Sequence, residues 1–64
     1  MKQQTQIAHE CIAMHREGNS TWEVLEFVRS EGYPYEQAVT IVTRALRLDD
    51  ESVADMEDRY TDCI

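Results

Sequence analysis

Gly18, Gly32 and Pro34 are the only glycines and the only proline in this chain. Between them no stretch alternates apolar and polar residues with the period of two that a half-buried strand needs, whereas apolar residues recur at helical spacing throughout. A chain punctuated this way folds as short helices joined by tight turns, and 64 residues suffice for one domain. The expectation is an all-α bundle of four short helices, at about residues 5–17, 21–31, 34–47 and 50–62, in a single domain over 1–64.

Local signals mark each segment. The first places Ile7, Ala8, Cys11, Ile12, Met14 and His15 on one side and stops at Gly18, a natural left-handed helix end. The second opens with Ser20-Thr21-Trp22-Glu23, the spacing of a capping box, and buries Val24, Leu25 and Val28. Pro34 suits the first turn of the third segment, where its missing amide costs nothing. That segment has the widest apolar arc, including Ala38, Val39, Ile41, Val42 and Ala45, and is expected at the centre of the fold. In the fourth, Asp49 can cap, Leu48 and Val53 are spaced as a hydrophobic staple, and Val53, Met56, Tyr60 and Ile64 form a narrow stripe.

So short a chain buries only about 60% of the surface its unfolded form exposes, which leaves little room for both a core and a deep pocket. No enzymatic activity and no cofactor are therefore expected. The longest apolar run, Cys11 to Met14, is far short of the roughly 20 residues of a membrane helix. No apolar stretch follows Lys2, so no secretory leader is expected either. Cys11 and Cys63, the only cysteines, do not make the dense framework of a small secreted domain, so free thiols and a cytoplasmic location are expected.

Thirteen acidic residues against six basic ones give a formal charge of −7, which opposes binding to anionic membrane or nucleic acid. The charge is uneven. Residues 32–48 carry Glu36, Arg44 and Arg47, whereas residues 49–64 carry seven acids and only Arg59. Glu51, Asp55, Asp58 and Asp62 follow at i, i+4, i+7 and i+11, a straight line along one helix side. Like charges at these spacings repel, and Asp58 and Asp62 sit toward the negative end of the helix dipole. Such a face can dock on a basic partner protein or imitate nucleic-acid phosphates; a purely solubilising face explains the same residues. Trp22, Tyr33 and Tyr35, around the junction of the second and third segments, are candidate anchors, because Trp and Tyr combine large apolar area with a polar handle. With Phe27 they serve equally as core, or with the first helix as the seam of a homodimer.

Three other constellations are weaker. Gln37, Thr40, Thr43, Arg44 and Arg47 on the outside of the third segment are residue types that read DNA in a helix-turn-helix, but few basic residues remain to grip phosphate. Cys11 and His15 at i, i+4, with Cys63 as a conceivable third ligand, have usable metal spacing without a Cys-x-x-Cys pair, so no metal is expected. The same Cys11–His15 pair lacks an orienting third group and lies on the core side, where a thiol is inert.

Gly32-Tyr33 closing one helix, Ala45-Leu46 closing the next, and Val53, Met56 and Tyr60 at core spacing in a third give residues 21–60 a layout that resembles a UBA-type three-helix domain. The resemblance implies a bundle that binds protein, ubiquitin in the best-known members, without catalysis. Glu31 stands where the family's binding loop has methionine, and the paired leucines that often end its third helix are missing. The expected function is thus a small acidic interaction module or regulator that binds a partner with a basic surface. The alternative is nucleic-acid related, either an acidic mimic or a helix-turn-helix binder using Arg44 and Arg47.

Overall fold

Ser20 and Glu23 form the capping box their spacing predicts: the amide and the hydroxyl of Ser20 both donate to Glu23 Oε1 at 2.9 Å. The computed structural model, which describes residues 3–63, carries four helices: α1 (Gln4–Arg16), α2 (Thr21–Ser30), α3 (Tyr35–Leu46) and α4 (Asp50–Cys63). Their bounds lie within about one residue of those expected from the sequence. Among the described residues there is no strand. Ile64 and the side chain of Cys63, named above for the last stripe and a third ligand position, lie outside what is described.

The helix ends follow from local chemistry. After α1, Gly18 takes φ 102°, and the Asn19 amide and side chain both donate to the Met14 carbonyl, at 3.1 and 2.9 Å. Gly32 takes φ 105° after α2. Pro34, at φ −60°, occupies the N-cap of α3 rather than its first turn. The end of α3 is unusual: Arg47 adopts the left-handed conformation (φ 54°, ψ 51°), and the Leu48 amide donates to the Thr43 carbonyl at 3.0 Å. That is the Schellman arrangement, built with a side chain where glycine is normally found.

The core gathers Ile7 and Cys11 from α1, Val24, Leu25 and Val28 from α2, Tyr33 from the connector, Ala38, Ile41 and Val42 from α3, and Met56 from α4. The wide apolar arc of α3 does meet more than one neighbour, since it packs along α1 and α2. The hub, however, is α2, which packs against all three other helices. Although α2 has the fewest residues, its buried Val24, Leu25 and Val28 lie between flanking Trp22 and Phe27, which also pack on the core. The Cα radius of gyration of 10.5 Å matches the roughly 11 Å expected for this length, so α4 lies against the body. On either side of this hub, α4 docks on α2 and α1 lies along α3.

Candidate functional site

The acidic line stands on a well-formed helix. The Ser52 amide donates to Asp49 Oδ1 at 2.8 Å, capping α4 and holding the Asp49 carboxyl below its ordinary range. Val53, Met56 and Tyr60 turn inward, with Met56 fully buried. Glu51, Asp55, Asp58 and Asp62 are all exposed. The 3.6-residue repeat puts them on the side opposite Met56. The line carries one cation: Arg59 Nε donates to both carboxylate oxygens of Asp55 at 3.1 Å. With the two side chains 64% and 59% exposed, that ion pair contributes little stability, but it neutralises Asp55 locally. Among the described residues, the carboxylates of the line left without an ion pair are therefore Glu51, Asp58 and Asp62. A shallow hollow of about 400 Å³ lined by Thr21, Glu51, Ser52 and Asp55 joins the line to the start of α2.

The aromatic residues divide. Tyr33 is buried, 7% exposed, and belongs to the core; the Arg29 guanidinium donates to its carbonyl at 3.3 Å. Tyr35 is half-buried and ties α3 to α4: its hydroxyl donates to Glu57 Oε2 at 2.8 Å, and its ring lies 5.9 Å from that of Tyr60. Burial, and then the bonded Glu57 carboxylate, raises the Tyr35 phenol above its ordinary value. Trp22 and Phe27 are half-buried around a shallow hollow that also takes in Met14 and Glu26. Of the three candidate anchors, Trp22 and Tyr35 thus keep some exposed surface, while Tyr33 is committed to packing.

Arg44 and Arg47 are exposed. Gln37, Thr40 and Arg44 do not stand clear as a recognition face, because α1 runs beside them. They line one wall of a groove of about 570 Å³, with Gln4 and Ala8 on the other. Cys11 is fully buried and His15 exposed, so the two do not share the core side as expected. The buried stripe of α1 is narrow, centred on Ile7 and Cys11, and His15 falls at its outer edge. Burial, and then neighbouring Glu10, pushes the Cys11 thiol up to about 11, which keeps it protonated and unreactive. Among the described residues, no group of three or more His, Cys, Asp or Glu side chains could hold a metal ion. None of the described helices is long and apolar enough to cross a membrane.

Two side-chain contacts around α4 are not among the expectations above. The Asp55–Arg59 pair has the i, i+4 spacing of a helical ion pair and could have been found from it. The Tyr35–Glu57 bond joins residues 22 apart, and no local pattern announces it. Comparison of the chain with known protein families, with curated proteins and with solved structures finds no match.

Proposed function

We propose that this chain is a small non-enzymatic interaction module that docks on the basic surface of a partner protein through the outer face of α4. The observation that carries the proposal is the exposure of Glu51, Asp55, Asp58 and Asp62 on the side of α4 opposite fully buried Met56. A helix fixed from one side presents its other side as a rigid row of carboxylates, and no ordering cost falls on the backbone at binding. The sign and concentration of the charge serve encounter: a field from one edge steers a basic partner and orients it before contact. The hollow beside Thr21 gives a long basic side chain a place between α2 and the acidic line.

The same row also fits a partner whose basic surface ordinarily holds nucleic acid, in which case the module acts by occupying that surface. The test is capture from an extract of the source cell, comparing the wild-type chain with a variant carrying Glu51→Gln, Asp55→Asn, Asp58→Asn and Asp62→Asn. A protein of basic surface retained by the wild type and lost by the variant supports the proposal, and competition by added DNA or RNA identifies the mimic. Equal capture by both chains overturns it. Loss on Arg44→Ala with Arg47→Ala instead transfers the function to α3.

A further inference from the structure

We infer that the groove between α1 and α3 is the seam of a homodimer, filled by a second copy of this chain related by a two-fold axis near Thr40. Glu36, Thr40 and Arg44 stand at i, i+4 and i+8, a row on successive turns that winds about 80° around α3 along the rim of the groove. Eight residues of helix separate Glu36 from Arg44 by about 12 Å, too far for them to pair within one chain. Both are exposed, and neither takes part in an ion pair among the described residues. An antiparallel copy turned about Thr40 sets Glu36 opposite Arg44 of the partner subunit, and Arg44 opposite Glu36 of the partner subunit. One rotation thus answers both charges, which is the self-complementarity a two-fold interface requires.

The floor of the groove suits the same arrangement. Ala8, Ile41 and Ala45 make it apolar, and the two alanines let a second helix approach closely. Ile12, one turn beyond Ala8, is half-buried yet is not among the apolar residues packed on the core, so the apolar strip of α1 continues past what the monomer uses. Thr40, at the axis, brings no orphaned hydroxyl into the seam, since its Oγ1 already donates to the Glu36 carbonyl at 3.0 Å.

Electrostatics select this face over the others. Two chains of charge −7 repel, and that repulsion is centred on residues 49–64. Residues 32–48 hold two arginines against one glutamate and form the stretch where copies approach at least cost. None of Glu51, Asp55, Asp58 and Asp62 lines the groove, so a dimer closed through it leaves both acidic lines uncovered. It then presents two equivalent docking rows, and a partner with repeated basic surfaces gains avidity from engaging both.

Sedimentation equilibrium from micromolar to millimolar concentration tests the seam with four chains: wild type, Glu36→Arg, Arg44→Glu, and the double reversal. The wild type should move from 7.5 kDa toward twice that mass as concentration rises. Each single reversal sets like charges against each other twice per dimer, and should weaken association about tenfold or more. The double reversal should restore it, since the exchanged charges again meet their opposites across the axis. Far-UV circular dichroism confirms folding, and all the altered side chains are exposed. A mass of 7.5 kDa at every concentration overturns the inference. So does a dimer indifferent to the single reversals, or one the double reversal fails to rescue.

Discussion

Replacing Met56 with alanine removes the α4 side chain that is fully buried in the core. Three heavy atoms disappear, worth about 0.8 kcal/mol each if counted as buried methylenes. A cavity term follows, because the space left by Met56 closes only partly, and the total comes to about 3 kcal/mol, within the range of roughly 2–5 seen for such truncations. A domain of this length has only about 3–10 kcal/mol of total stability. Met56→Ala therefore removes a third or more of it, and the midpoint of thermal unfolding should fall by about 10–20 °C. Met56→Leu, which nearly conserves volume, should cost less than about 1.5 kcal/mol. Thermal and urea unfolding followed by far-UV circular dichroism measure both variants. A loss below about 1 kcal/mol for Met56→Ala would show that α4 is not held through Met56, and the rigid acidic row would lose its physical basis.

Three other perturbations test separate parts of the structure. Thr43 Oγ1 is buried without a hydrogen-bond partner among the described residues, so Thr43→Val should leave stability unchanged or raise it by up to about 1 kcal/mol. Arg47 pays the cost of a left-handed backbone that glycine avoids, so Arg47→Gly should raise stability by about 1 kcal/mol, read as a higher urea midpoint. Glu23, bonded first by the Ser20 amide and then by its hydroxyl, and Asp49, bonded by the Ser52 amide, both have lowered pKa values. Their stabilisation is complete above the ordinary values of 4.5 and 3.8 and is lost as pH falls through the lower folded ones. Unfolding midpoints against pH should fall more steeply for the wild type than for Glu23→Gln with Asp49→Asn, where asparagine keeps the cap without the titration.

Much of the fold was legible because its signals are local. Gly18 and Gly32 end helices by adopting positive φ, and Ser20–Glu23 and Asp49–Ser52 start helices through hydrogen bonds within one turn. What escaped depends on how the elements meet. A wide apolar arc made α3 look central; α2 packs along all three neighbours, whereas α3 packs along α1 and α2 and meets α4 through Tyr35, and the width of an arc does not show how its cover is divided. His15 looked inward on a helical wheel, but the buried stripe of α1 is too narrow to reach it. Arg47 carried no glycine to betray its left-handed turn, and the α1/α3 groove exists only once two helices lie side by side. The acidic row needed nothing but spacing, so it was visible from the start, whereas its Arg59 clamp on Asp55 changed where the uncompensated charge lies.

On the proposed function this row, fixed on a docked helix, is the binding face. Its most direct test is the affinity of wild type and of the four-residue neutralised variant for the captured partner, each measured from low to high salt. The wild type should bind more weakly as salt rises, while the variant binds weakly throughout and responds little to salt. Its α4, relieved of like-charge repulsion, should remain folded and melt no lower than the wild type. Equal affinity of the two chains, or a wild-type affinity that salt leaves unchanged, would contradict the account.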